Sequence, residues 1–157
     1  MIAVLLAAAV ALPPPAKVAV VTGASSGIGR ALAEEAAKRG WRVVLADMDP
    51  AGSEQAARAI REAGGTALVV KADVAVDADR GRILEQAVKA FGGVDLLVNN
   101  AGYGYMAVTE RVSLDETRRM FEVNYLAAVD LSRRALGLMR PPRAGTVVNV
   151  ASVLGLI

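Results

Sequence analysis

Five short apolar runs separated by helix-patterned stretches limit this chain to very few folds. The runs lie in "KVAVVTG", "WRVVLAD", "TALVVKAD", "VDLLVNNAG" and "GTVVNV". Each is too short for a buried helix and is bounded by Gly, Pro, Asp or Asn, as a buried strand should be. None alternates polar with apolar, so both faces of each strand are expected to be covered. Hydrophobic residues make up 54% and aromatics only 4%, so the core must be aliphatic.

The intervening segments carry helix punctuation. The first, "SSGIGRALAEEAAKRG", has Ser26 at its start, a small-residue face of Ala33, Ala36 and Ala37, and Gly40 as its stop. Asp49-Pro50 opens the second helix as cap and first-turn proline; it runs to about Ala63 before Gly64-Gly65. The third covers roughly Asp77 to Phe91. The fourth opens on a capping box, Ser113 with Glu116 three residues on, and is expected to continue to about Met139, ahead of Pro141-Pro142. Strand–helix alternation with short connections and right-handed crossovers predicts an α/β protein. Its sheet is doubly wound, parallel and Rossmann-like, with three α/β/α layers, and is cut off after the fifth strand. Residues 1–16 read as an apolar leader and Pro-rich linker, and 17–157 as one domain of this fold, incomplete at its C-terminus.

Chemistry is narrowed by what is missing. The sequence holds no Cys and no His, which removes disulfides, thiolate metal sites, thiol nucleophiles and every His-dependent triad. Net charge is +2 and no Lys/Arg block occurs, so nucleic acid is not the expected partner. The pairs Arg118-Arg119 and Arg133-Arg134 are expected on a solvated helix face.

Between the first strand and first helix lies Thr22-Gly23-Ala24-Ser25-Ser26-Gly27-Ile28-Gly29. Three glycines there serve a sharp turn, a close backbone approach to a pyrophosphate and tight helix–strand packing. The helix start adds free N–H groups and partial positive charge, so phosphates are expected over Ser25 to Ile28. No Lys-Ser/Thr follows, so the loop is not that of a P-loop NTPase. Asp47 ends the second strand, 18 residues beyond Gly29. A carboxylate there accepts hydrogen bonds from both adenosine ribose hydroxyls and repels a 2′-phosphate. At ~4 Å and an effective dielectric of ~20 that repulsion is on the order of 4 kcal/mol per unit charge before screening. NAD is therefore preferred, with NADP not excluded.

With that loop the chain resembles the short-chain dehydrogenase/reductase family, from about Lys17 to Ile157. Four further segments agree in order: "ADV" at Ala72-Asp73-Val74, "NNAG" at Asn99 to Gly102, "FEVNYLA" with Asn124, and "VNVASVLG" with Ser152. The resemblance implies an NAD(P)-dependent oxidoreductase moving a hydride between nicotinamide and an alcohol or carbonyl substrate. It assigns Asp73 and Val74 to adenine, and Asn100, Ala101 and Gly102 to the ribose and nicotinamide side. Asn124 falls at the family's relay asparagine and Ser152 at its catalytic serine. It also implies a homodimer or homotetramer built through the fourth and fifth helices. Read from the residues, Asn124 is the polar member of an inward stripe of Thr117, Phe121, Asn124, Ala128, Leu131, Ala135 and Leu138. A buried amide there needs partners, and a neighbouring backbone would serve. Asn99 has loop capping as its alternative, and Ser152 a simple turn role.

The family's general acid–base is a tyrosine with a lysine four residues on. Tyr103, Tyr105 and Tyr125 all lack that lysine. The chain is thus expected to be the cofactor-binding part of such an enzyme and inactive by itself, with a non-catalytic dinucleotide-binding module as the alternative. Its fifth strand is expected to be an exposed apolar edge prone to pairing. Tyr103, Tyr105 and Met106 offer a mildly apolar substrate surface. The leader "MIAVLLAAAVAL" would span roughly 18 Å as a helix, short of the ~30 Å hydrocarbon core. A weak signal segment, a superficial membrane anchor through residues 1–12 and an ill-fitting leader all stay open. A cytoplasmic protein, membrane-associated or not, is preferred over export, since the cofactor is intracellular.

Overall fold

The strands pair in the order their burial demands. The computed structural model describes residues 16–104, 106–139 and 144–152. The expected leader, Tyr105, the Pro141-Pro142 stop and 153–157 lie outside them. Five parallel strands form one sheet: β1 (Val18–Thr22), β2 (Arg42–Asp47), β3 (Thr66–Lys71), β4 (Leu96–Asn99) and β5 (Thr146–Asn149). Their spatial order is β3-β2-β1-β4-β5. β1 is central, and all five of its residues are buried. In register, Val20 stands beside Val44 and Leu97. β3 and β5 are the edge strands among the described residues, and in β5 Thr146, Val148 and Asn149 are exposed.

Alternate residues of each strand feed two separate cores. Ala19, Val21, Val43 and Leu45 pack under α1 (Gly27–Lys38) and α2 (Pro50–Glu62), against Ala33, Ala36, Ala56, Ala57 and Ile60. Val20, Val44, Val70 and Leu97 pack on the opposite face, against α3 (Asp77–Phe91) and the helices after β4. This is the three-layer, doubly wound arrangement expected. Alanine on α1 and α2 allows close helix–sheet approach with little side-chain entropy to lose.

The fourth helix departs from expectation. It is α4 (Leu114–Phe121), a π-helical turn (Glu122–Leu126) and α5 (Ala127–Met139) in unbroken succession. The Ala127 N–H donates to the Glu122 carbonyl, five residues back. The extra residue shifts the phase of the helix. The buried stripe is therefore Val123, Ala127, Leu131, Ala135 and Met139, whereas Phe121 and Asn124 are exposed. Of the seven stripe positions expected, only Leu131 and Ala135 are fully buried.

A polar cluster fastens α3 to this long helix. Arg80 is 7% exposed. Its guanidinium donates to Asp130 at 2.8 Å, to Glu122 at 3.0 Å and to the Val74 carbonyl at 2.7 Å. Burial opposes the charge on Arg80, yet its hydrogen bonds to Asp130 and Glu122 outweigh that and raise its pKa. Burial also works against the Asp130 carboxylate. Hydrogen bonds from Arg133 and Arg80, reinforced by Arg134, hold its pKa below the ordinary carboxylate value. Arg134 also pairs with Asp77. Arg134 is therefore part of an interhelical cluster, whereas Arg133, exposed and paired with Asp130 of its own helix, keeps the solvated face expected. No described helix is long and apolar enough to cross a membrane.

Candidate cofactor cleft

Where a parallel sheet reverses its winding, the strand ends leave a crevice. Here that point lies between β1 and β4. A cavity of about 650 Å³ runs along the C-terminal edge of the sheet. Its walls come from Gly23, Ser25, Ser26 and Ile28 after β1, Asp47 and Met48 after β2, and Ala72, Asp73 and Val74 after β3. Asn100, Ala101, Gly102 and Tyr103 after β4, with Arg119 and Val123, close the rest. Ten of the twelve residues expected to hold the cofactor are thus brought together. Gly27 and Gly29 are not on the wall.

The three glycines do separate work. Gly23 has φ +65°, and a Cβ there would sit 2.9 Å from both Ala101 Cα and Asn100 Nδ2. Gly29 lies under the loop, where a Cβ would collide with the Gly23 carbonyl and the Asn100 amide. Gly27 has φ +56° with open space before its missing Cβ. Turn, helix–strand packing and open approach thus fall to Gly23, Gly29 and Gly27.

Thr22, buried at the end of β1, is a hub that local sequence patterns do not reveal. Its hydroxyl accepts the N–H groups of Asn100 and Ala101 at 3.1 and 3.0 Å. The Asn100 amide donates to the Thr22 and Gly23 carbonyls at 3.0 and 3.1 Å. Asn100 therefore braces the glycine loop from beneath while also lining the cavity. Asn99 does not cap a loop. It is 6% exposed, and its amide donates to Ala128, Ser132 and Asn149, joining β4 to α5 and β5.

Asp47 bridges two helix starts. One carboxylate oxygen accepts the Ser25 N–H at 3.0 Å and the other the Asp49 N–H at 2.9 Å. Each oxygen retains a second acceptor position. Asp73 is held in its own turn, with Oδ1 accepting the Ala75 N–H at 2.9 Å. Its Oδ2 pairs with Arg119 at 2.6 Å. Arg119 therefore sits in the cleft and not on a solvated face, unlike Arg118, which pairs with Asp115 outside it. Nothing near Arg119 in sequence signals this, because its partner is 46 residues away.

Asn124 exchanges two hydrogen bonds with the Tyr103 backbone, at 3.0 and 2.9 Å. It meets the partner type expected of it, but at the surface. Ser152 is exposed, beyond β5, and is not among the cavity's lining residues. Val150, two residues before it, donates to the Asn99 carbonyl at 2.9 Å and ties that segment to the end of β4.

The fit to a pyrophosphate can be judged from α1 itself. Ser26 is its N-cap residue but makes no side-chain cap bond, and the first turn holds no acid. The start of α2 is capped by Asp49, that of α4 by a capping box, and α3 has Asp77 and Asp79 in its first turn. The start of α1, on the cleft wall, thus leaves its dipole and N–H groups uncompensated by any such group. Those residues fit a bound dinucleotide phosphate.

This sheet, with its glycine loop and strand-end cleft, defines a Rossmann-type nucleotide-binding fold. The chain belongs to the short chain dehydrogenase family, whose pattern it matches over residues 17–157. It is 38% identical over 142 residues to cis-4-hydroxycyclohexanecarboxylate dehydrogenase of Sinomonas cyclohexanicum, covering 90% of this chain and 57% of that protein. It is 36% identical over 143 residues to 3beta-hydroxysteroid dehydrogenase 1 of Eggerthella lenta, covering 90% and 55%. A solved short-chain dehydrogenase/reductase from Serratia marcescens, a double mutant, superposes with a TM-score of 0.82 at 36% identity, covering 90% of this chain and 58% of that one. The chain spans about half the length of the curated relatives it matches. Those relatives are dehydrogenases, and the family is one of oxidoreductases that in general use NAD(P).

Proposed function

We propose that this chain is the cofactor-binding part of an NAD(P)-dependent alcohol/carbonyl oxidoreductase, with NAD preferred. One observation carries the reading: a glycine loop, an uncapped helix start, Asp47 and Asn100–Gly102 all border a single cavity. The N–H groups at the start of α1 hold the pyrophosphate. Asp47 takes the adenosine ribose hydroxyls on its remaining acceptor positions. Val74 lines the adenine, with Asp73 beside it, and Asn100, Ala101 and Gly102 line the far ribose and nicotinamide. A bound nicotinamide dinucleotide supplies the hydride acceptor or donor.

Ser152 is assigned by resemblance to polarising the substrate oxygen, and Asn124 to the proton relay. The side chain of Asn124 is committed to Tyr103, which leaves the backbone of the π turn for a relay water. Ala127 bonds to Glu122, so the Val123 carbonyl loses its usual helical partner. None of the 157 residues forms a Tyr-x-x-x-Lys pair. General acid–base catalysis is worth roughly 10²–10⁴-fold, so turnover by this chain alone should be negligible.

The relatives' names carry over only a substrate class, a small hydroxy or carbonyl compound. Exposed Phe121, Tyr125, Val129 and Leu136 recur along one side of the α4–α5 helix. They form the face through which a second copy would dock to give a homodimer or homotetramer. A cytoplasmic location goes with an intracellular cofactor.

Titration with NADH tests binding, and a panel of secondary alcohols with NAD tests turnover. Saturable NADH binding without turnover is the expected result, and turnover by this chain would overturn the inactive assignment. Asp47→Ser should shift the NAD-to-NADP affinity ratio toward NADP by roughly ten-fold or more, through lost repulsion of the 2′-phosphate. An unchanged ratio removes Asp47 from cofactor selection.

A further inference from the structure

The mouth of the cleft at its adenine end is crossed by one side chain, Arg119. It comes from α4, after the fourth strand, and reaches the ends of the second and third. Its Nη2 pairs with Asp73 Oδ2 at 2.6 Å and lies 3.9 Å from the Met48 sulfur. The side chain is 39% exposed, so one side of the guanidinium meets solvent or the cleft. Asp73 itself cannot turn away to a ligand without cost. Its Oδ1 holds the Ala75 N–H, and its own N–H is held by Asp79 at 2.8 Å. Each oxygen of the residue expected to contact adenine already holds one bond, and one of them aims Arg119.

We propose that Arg119 is a cofactor-binding residue of the adenosine subsite. Its guanidinium plane, fixed by Asp73, forms the outer wall against which the purine packs, opposite the apolar wall of Val74. The proposal rests on reading the cleft as a dinucleotide site and adds to it a residue and a division of labour. Asp73 acts as a positioning residue for Arg119. A planar guanidinium suits this place better than an ammonium, because it stacks on a ring while keeping a donor for its carboxylate. The Arg119–Asp73 pair is neutral as a unit, so Asp47 remains the charged group that reads the 2′ position.

The test uses ligand halves and the 157-residue chain, with binding and not turnover as the readout. ADP-ribose probes the adenosine side, and nicotinamide mononucleotide probes the other. Arg119→Ala should weaken ADP-ribose about two- to thirty-fold, the range for a cation–π contact, and leave nicotinamide mononucleotide unchanged. Arg119→Lys should fall between the two and guards against a folding artefact. Asp73→Asn should weaken ADP-ribose less than Arg119→Ala, because it loosens the guanidinium without removing it. ADP-ribose affinity that is unchanged or tighter in Arg119→Ala overturns the proposal, as does an equal loss for both halves. If the unaltered chain binds neither half, the dinucleotide reading falls and this inference with it. Binding by the unaltered chain alongside an unaffected Arg119→Ala sinks this inference alone.

Discussion

α1 and α2 begin at the same edge of the sheet, one strand apart, and they begin differently. At α2, Asp49 accepts the N–H groups of Ala51 and Gly52 at 3.0 and 3.1 Å, and Pro50 fills the first helical position. At α1, Ser26 stands at the cap position, its side chain makes no cap bond, and no acid follows in the first turn. The first arrangement satisfies a helix end from within the chain. The second leaves donors and positive potential directed into a cavity. Asp47 touches both starts, through Ser25 and Asp49, and so fixes their spacing. A helix start left without a cap or a first-turn acid suits an external anion, and this contrast supports the proposed phosphate position.

Breaking the α1 start should have the largest effect. Gly29→Ala forces a methyl group into the Gly23 carbonyl and the Asn100 amide. Overpacking against backbone costs about 3 kcal/mol or more, read as a fall in the unfolding midpoint in urea, with NADH binding abolished. A variant as stable as the parent would show that the loop relaxes freely. Next in size, Ser26→Asp makes α1 resemble α2. The new carboxylate should cap the helix and raise stability by about 0.5–1 kcal/mol while repelling phosphate, so NADH affinity falls roughly ten-fold. Stability and affinity moving in the same direction would count against the contrast. Asp49→Ala removes the cap from α2 and should cost about 1 kcal/mol in thermal unfolding with NADH affinity unchanged. A large loss of affinity would mean that the two starts are not separable.

The smallest effect concerns a cluster remote from both starts. The pKa of Asp130 is lowered in the folded chain, so its contribution to stability is fully present above the unfolded value. It is lost as pH falls through the folded one. Stability should therefore be flat in this respect from pH 6 to 8 and decline in acid. Asp130→Asn should flatten that acid limb, and an unaltered slope in denaturant titrations at low pH would exclude Asp130 as its source.

The parts of the fold readable in advance were those with local causes. Each strand was an uninterrupted aliphatic run, and most helix starts and stops had their own residue, such as Asp49-Pro50, Ser113 with Glu116, or Gly40. The glycine loop was equally legible, because φ +65° at Gly23 and close packing at Gly29 each demand glycine. The phase of the helix after β4 was not. Its π turn adds a residue that no local pattern marks, and a regular period carried from Thr117 put Phe121 and Asn124 inside. The cleft was legible only where it is made of loops that directly follow strands. Thr22, Met48 and Arg119 had no local mark.

The sequence by itself determined that this chain makes a parallel α/β sheet with a phosphate-type loop and an acid after the second strand. Those features are set by short-range sterics, capping and apolar runs. Only the tertiary structure decided which side chains meet over the cleft. The Arg119–Asp73 pair joins residues 46 apart, and Asn100 reaches Thr22 and Gly23 across 78 and 77. Such contacts form only after crossovers bring β1, β3, β4 and α4 to one edge, and no pattern within a few residues encodes that distance.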